Sequence, residues 1–163
     1  MSEWLISKIE SVRNRVMIRE NLEPSYGSII YTDLGFGTME HSGIYMSEGE
    51  VIQLNGDGYI RRVSLREFTN HITTFNHEIY VPCYHDYDST ISFPMAGHRA
   101  YEMVGQSRSY NLVMDNCHQF CAGCLTGDFD NPNNFLWMLK DSVKREHGEE
   151  ILWKKWDWKQ KYS

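Results

Sequence analysis

The stretch M-D-N-C-H-Q-F-C-A-G-C, Met114 to Cys124, gathers three of the chain's four cysteines within eight positions, directly after an Asp-Asn pair. Thiols at that density can hold a metal, exchange electrons as a redox pair, or supply a nucleophile. On a helix Cys117, Cys121 and Cys124 fall at i, i+4 and i+7 and share one face. A rise of about 1.5 Å per residue sets the first and last about 10.5 Å apart, too far for both thiolates to meet one zinc ion through bonds of about 2.3 Å. A site built on Cys121 and Cys124 with distant histidines would need a second C-x-x-C or histidines set in a zinc-like frame, and the chain offers neither. A redox pair at the same two residues lacks the preceding strand and helix of a thioredoxin-like motif, and small cysteines facing a core are the commoner outcome. No metal or other cofactor is expected.

Cys117 differs by its position. With Asp115 or Asn116 as the cap, it occupies the first turn of the helix, where unpaired backbone N–H groups point toward its sulfur. Those donors and the helix dipole favour a thiolate. The same N–H groups can form an oxyanion hole, because they point where a tetrahedral intermediate would place its charge. A thiolate nucleophile needs a histidine base, and the base needs an orienting partner. His41 opens a strand that S-E-G, Ser47 to Gly49, turns back as a three-residue hairpin loop with Gly49 left-handed. That register pairs Met46 with Glu50, Tyr45 with Val51 and Gly43 with Gln53, so His41, Gly43, Gln53 and Asn55 share one face. Gln53 then lies diagonal to His41, and glycine opposite it leaves room to lean over and hydrogen-bond the imidazole. A two-residue loop would flip Gln53 to the other face.

The elements that must position these residues are legible as well. Leu5, Ile9, Val12 and Val16 form an apolar stripe on an N-terminal helix within 1–20, capped by Ser2 and docked on the core. S-I-I-Y-T-D reads as a strand, followed by the loop L-G-F-G-T-M-E, whose glycines are wrongly spaced for phosphate binding. Strands His41 to Met46, Val51 to Leu54 and Tyr59 to Val63 make a meander. S-L-R-E-F opens a short helix capped by Ser64, and H-E-I-Y-V-P-C-Y is a further strand that Pro82 ends or places at an edge. Helices follow from Pro94 to Gly105, from Asn116, and through Phe135, Leu136, Leu139 and Val143, with further helix expected to the C-terminus, 134–163. The fold class is α+β: a small antiparallel meander packed on helices, the candidate nucleophile at a helix start, in a single domain spanning 1–163.

H-S-G-I-Y at His41 to Tyr45, Gln53, H-R-A-Y-E-M-V-G and Y-N-L-V-M-D-N-C-H-Q-F together resemble the lecithin:retinol acyltransferase-like family, a circularly permuted branch of papain-like thiol enzymes. The resemblance runs from about residue 25 to 127 and rests on the order and spacing of its motifs. It implies a permuted papain-like fold, Cys117 as nucleophile, His41 as general base and then acid, and Gln53 where many relatives place a second histidine. His118 and Gln119 stand where relatives carry Glu-His. Gln53 cannot carry charge, so it can orient the imidazole but not tune it as a titrating partner would.

The composition of the 163 residues, 41% hydrophobic and 23% charged, is that of an ordinary globular protein. A formal charge of −6 argues against nucleic acid, whose phosphates need a basic stripe. The start of the chain lacks the h-region of a signal peptide, and no run approaches the roughly 18 apolar residues of a membrane span, so a cytoplasmic protein with reduced thiols is expected. The leading expectation is acyl transfer or hydrolysis through a thioacyl enzyme on an acyl-bearing substrate, a lipid, thioester or peptide. A cysteine peptidase or amidase, including an effector protease, is the alternative, and a catalytically silent binding module the third. The C-terminal E-E-I-L-W-K-K-W-D-W-K-Q-K-Y-S suits a peripheral membrane contact, packing on the domain or a protein contact. The oligomeric state and the identity of acyl donor and acceptor are not written in the sequence.

Overall fold

The computed structural model describes residues 2–8, 22–33, 40–70, 77–86, 88–108 and 115–162, with the side chains of Asp33, Asp115 and Asn116 outside that description. Its centre is one antiparallel sheet of six strands: β1 (Ile29–Asp33), β2 (Glu40–Tyr45), β3 (Glu50–Leu54), β4 (Ile60–Ser64), β5 (Ile79–Tyr84) and β6 (Ile151–Trp156). Their spatial order is β4-β3-β2-β1-β5-β6. The strands β2, β3 and β4 form the expected meander, β1 extends it beside β2, and β5 returns to the open side of β1 with β6 outside it. The fold class is α+β, as the sequence predicts.

The sheet is buried on both faces, and the period of two along each strand decides which residue faces which way. Ile29, Ile44, Met46, Ile52, Leu54 and Ile60 pack under three helices, α3 (Pro94–Met103), α4 (Asp115–Thr126) and α5 (Leu136–His147). Their sequence neighbours Ile30, Tyr45 and Val51 pack on the other side with Phe68, Ile79, Val81, Trp156 and Trp158. Each fully buried branched side chain contributes roughly 1.5–3 kcal/mol by leaving water, so two apolar faces justify two covers. The second cover is thin: α2 (Leu65–Thr69) and the C-terminal α6 (Lys159–Tyr162).

Local chemistry sets the helix ends. Ser64 caps α2 in a reciprocal capping box, its Oγ accepting from the Glu67 N–H at 3.2 Å while the Glu67 carboxylate accepts from the Ser64 N–H at 2.8 Å. At the chain start, α1 (3–8) is capped by Ser2, whose Oγ accepts from the Leu5 N–H at 3.3 Å. Leu5 is 41% exposed and flanked by exposed Trp4 and Ile6, so the described turn of this helix is not docked on the core. Ile9, Val12 and Val16 lie outside the described residues. Phe135 stands before α5 as its N-cap and is exposed, while Leu139 and Val143 carry the buried stripe.

Two further expectations change. Pro82 neither ends β5 nor marks a sheet edge: the strand continues to Tyr84 and pairs with β6 along its whole length. The Pro82 carbonyl accepts from the Ile91 N–H at 2.8 Å, on the side where the β1–β5 pairing has already stopped at Tyr31–Tyr80, so the missing proline donor costs no ladder bond. The C-terminal segment expected to be helical is strand β6, followed by only one turn of helix. Alternation places Ile151 and Trp153 against the helix-covered face and Trp156 against the other, with buried Trp158 following, so these rings complete both cores. The charged residues Lys154 and Lys155 lie on this edge strand, where charge blunts pairing with another chain.

Candidate active site

The hairpin from β2 to β3 has the expected register, with Tyr45 opposite Val51 and Ile44 opposite Ile52. The Met46 N–H donates to the Glu50 carbonyl at 2.9 Å. The turn is tighter than expected, since Glu48 (φ 50°) is left-handed along with Gly49 (φ 77°), as both central residues of a type I′ turn must be. A bulge at Met46 and Ser47 keeps the register and therefore the faces.

His41 and Gln53 meet as that register requires. His41 Nε2 and Gln53 Oε1 lie 2.8 Å apart, both residues being 6% exposed. The Gln53 amide nitrogen donates to Asn55 Oδ1, so Oε1 is the atom turned to the imidazole and Nε2–H of His41 is the donor. In the neutral ring this leaves the lone pair on Nδ1, the form a general base needs. Phe68 from α2 closes over the imidazole, ring centroids 5.2 Å apart. Gly43 also has a second part. A Cβ at Gly43 would lie 2.6 Å from Val51 Cγ1 and 2.9 Å from Phe68 Cε2, so Gly43 makes room for the Phe68 cover.

Cys117 arrives from the opposite face. Alternation along β2 turns the Tyr45 N–H toward β1, where it donates to Ser28 O at 2.9 Å, and the Met46 N–H toward β3. Ser42 has the parity of Met46, so its N–H faces β3, yet among the described residues the β2–β3 ladder has no rung beyond Ile44–Ile52. The Cys117 sulfur takes that place, with hydrogen bonds from the backbone and hydroxyl of Ser42. The backbone N–H groups of Cys117 and His118 also point at the sulfur, as a helix start should provide. His41 and Gln53 thus lie on the Phe68 face of the β2–β3 pair, while Ser42, next to His41 in the chain, reaches the start of α4 on the other face.

The expected thiolate is not the resting form. Burial pushes the Cys117 thiol up to about 11, and the donors from Ser42, His118 and Cys117 itself offset only part of that, the residue being 1% exposed. Burial likewise raises Cys124 to about 12 and Cys121 well above its ordinary value. All four cysteines are buried and outside disulfides, and α4 is helical through Thr126, so the axial spacing that separates Cys117 from Cys124 applies. Asp115 and Asn116 lie within α4, and their capping role falls on side chains outside the described part.

Sequence reasoning missed two participants. Ser42 Oγ lies 2.8 Å from Nδ1 of His118, and that nitrogen is 3.8 Å from the Cys117 sulfur. His118 is 3% exposed, and burial holds its imidazole down at about 4, so it is neutral at physiological pH. One signal was available: Ser42 is a polar residue on a strand face otherwise made of Ile44 and Met46, a position that calls for a polar partner. Gln119 does something else, exchanging two amide hydrogen bonds with Asn131 at 2.9 and 3.0 Å to tie the following loop to α4.

The sheet thus presents a histidine with its amide partner on one strand pair, and the start of α4 brings Cys117 and His118 to the neighbouring Ser42. A protein-family model described as Lecithin retinol acyltransferase matches residues 23–130, from the segment before β1 to the loop after α4. The chain belongs to the lecithin retinol acyltransferase family, whose members are in general acyltransferases. No curated protein sequence matches it. Among the described residues no helix is long and apolar enough to cross a membrane.

Proposed function

We propose that the protein is a cysteine-dependent acyl-transfer enzyme working through a thioacyl intermediate on Cys117. The observation that carries this reading is the His41 Nε2–Gln53 Oε1 hydrogen bond, which orients the imidazole with its proton on Nε2 and its lone pair on Nδ1, next to a strand residue, Ser42, that reaches the start of α4. In the first half-reaction His41 removes the thiol proton and the sulfur attacks the acyl carbonyl carbon. The oxyanion so formed is met by backbone N–H groups at the start of α4. Collapse expels an alcohol, thiol or amine that takes its proton from the His41 imidazolium. In the second half-reaction a water, alcohol or amine gives its proton to His41, attacks the thioester and restores the thiol. Gln53 orients the imidazole and, being uncharged, leaves its basicity to burial and neighbours.

Incubating the chain with an ester, a thioester and a peptide, and following intact mass, tests this. An acyl adduct that appears on the wild type, is lost in Cys117→Ala and forms more slowly in His41→Ala is the expected result. No adduct from any of the three classes would sink the proposal. The second reading, a catalytically silent domain, has one observation in its favour, the burial that holds the Cys117 thiol at about 11. It predicts that Cys117 is alkylated no faster than Cys121 or Cys124 and that losing His41 leaves those rates unchanged.

A further inference from the structure

The Ser42 hydroxyl occupies a crowded position. It lies 2.8 Å from His118 Nδ1, which is itself 3.8 Å from the Cys117 sulfur, and it stands close enough to the thiols of Cys117 and Cys121 to lower both, all inside the helix-covered core. A hydroxyl has a single proton to donate and can accept two. While Cys117 is a neutral thiol, that proton can go to His118 or to a sulfur. Once the sulfur ionises, it becomes the strongest acceptor in reach and takes the proton. The Ser42 oxygen then needs donors of its own, and the one imidazole nitrogen beside it is Nδ1 of His118.

We infer that Ser42 and His118 are a positioning pair for the Cys117 thiolate: His118 Nδ1–H donates to Ser42 Oγ, and the Ser42 hydroxyl donates to the sulfur. No bond is made or broken in the pair; the thiol proton still leaves through the base. A neutral His118 suits this role, because its single N–H is fixed on Nδ1 and its charge does not vary over the working pH range. The pair also explains why a histidine directly after the nucleophile is not a second base: the Ser42 hydroxyl engages the nitrogen nearest the sulfur. Among the described residues the titratable neighbours of the sulfur are His118 and Cys121 on α4. The inference rests on the reading of Cys117 as the group that ionises for acyl transfer, and it deepens that reading by naming what stabilises the ion.

The test measures ionisation separately from turnover. Alkylation of Cys117 by iodoacetamide, followed residue by residue by mass spectrometry from pH 6 to 10, gives a log rate–pH line for each variant, and its displacement from the wild-type line is the shift of the midpoint, which lies above that range. Ser42→Ala keeps the backbone N–H and removes the hydroxyl; its midpoint is expected to rise by about one pH unit, with alkylation about ten-fold slower at a fixed pH below it. His118→Leu should give a similar rise, and His118→Asn, which places an amide N–H near Nδ1, should restore most of it. The double variant Ser42→Ala/His118→Leu should be no worse than Ser42→Ala alone, since the two act through one chain of hydrogen bonds. Circular dichroism of each variant identifies any that do not fold, and the His118→Leu and His118→Asn arm decides the question if Ser42→Ala is among them. An unchanged midpoint in His118→Leu, or fully additive shifts, overturns the inference. Intact-mass acylation on the same samples keeps the two proposals apart: a shifted midpoint without any adduct sinks acyl transfer and leaves the pair, whereas an adduct with unshifted midpoints does the reverse.

Discussion

Replacing Gln53 by leucine keeps most of the side-chain volume and removes two hydrogen bonds, the acceptor for His41 Nε2–H and the donor to Asn55 Oδ1. The two losses are unequal. Asn55 is half-buried and can turn its carbonyl to water, whereas His41 is 6% exposed and cannot. The cost therefore falls on the imidazole, and a buried donor that loses its partner costs about 1–3 kcal/mol. For a domain of this length that is a fall in Tm of about 4–8 °C at the middle of the range. Urea unfolding at pH 8 followed by tryptophan fluorescence is a direct assay, because Trp156 and Trp158 are buried on the same face of the sheet. Gln53→His supplies a ring nitrogen that can accept from His41, so at pH 8 it should recover at least half of the loss. That recovery should vanish as pH falls below about 6.5, because an imidazolium accepts no hydrogen bond. A Gln53→Leu protein within about 0.5 kcal/mol of wild type would refute the reasoning, since that is the scatter of surface substitutions.

Three further outcomes follow from the same geometry. The Thr32 hydroxyl is fully buried on the strand position opposite His41 and has no hydrogen-bond partner among the described residues. Thr32→Val keeps the shape and removes the orphan, so it should raise the unfolding free energy by about 1 kcal/mol in urea; a loss of similar size would mean the hydroxyl is satisfied. Gly43→Ala forces a Cβ to within 2.6 Å of Val51 Cγ1 and 2.9 Å of Phe68 Cε2. It should cost about 1–3 kcal/mol and lift Phe68 from His41, and wild-type stability in urea would contradict that packing. His118 sits at about 4 in the folded chain and near 6.5 unfolded, so the unfolded chain takes the proton first. Its contribution is complete above pH 6.5 and lost as pH falls toward 4, with a ceiling of about 3 kcal/mol at about 1.4 kcal/mol per pH unit. Urea midpoints at pH 7 and 4.5 should therefore diverge in the wild type and converge in His118→Asn.

The meander, the capping box at Ser64 and the His41–Gln53 face were legible because each follows from a local rule. A turn sets a register, a register sets a face, and Ser-x-x-Glu closes on itself. The C-terminal strand was not legible for a related reason. I-L-W-K-K-W places aromatic and aliphatic groups on both sides of any helical projection, which is how a strand serving two cores looks when plotted at the wrong period. Pro82 misled because a missing donor matters only on the side that has a partner strand, and the sequence does not say how far β1 pairs with β5. The Ser42–His118 contact joins residues 76 positions apart on a strand and a helix, and no spacing rule reaches that far. The thiol's resting state failed as an expectation because helix-start donors act locally while burial depends on everything above the helix.

The alternation of β2 gives these pieces one explanation. His41 and Ser42 are adjacent in the chain and face opposite sides of the sheet, so the candidate base and the groups that hold the nucleophile cannot share one face. They can meet only where the wall between the faces is interrupted. The sheet supplies that interruption by ending the β2–β3 ladder at Ile44–Ile52, which releases the Ser42 N–H to the Cys117 sulfur and leaves Gln53 reaching diagonally to His41. Closing the gap with two more rungs would take the Ser42 N–H from the sulfur. The opening is then a requirement of the chemistry proposed for the site, and the diagonal His41–Gln53 bond, together with the Phe68 cover, is what holds the strands in place across it. It follows that substitutions at Gln53 and Phe68 should change the reactivity of Cys117 although neither residue has a place beside the sulfur. Alkylation rates of Cys117 in Gln53→Leu and Phe68→Leu that match wild type, with the fold retained, would show that the two sides of the strand act independently.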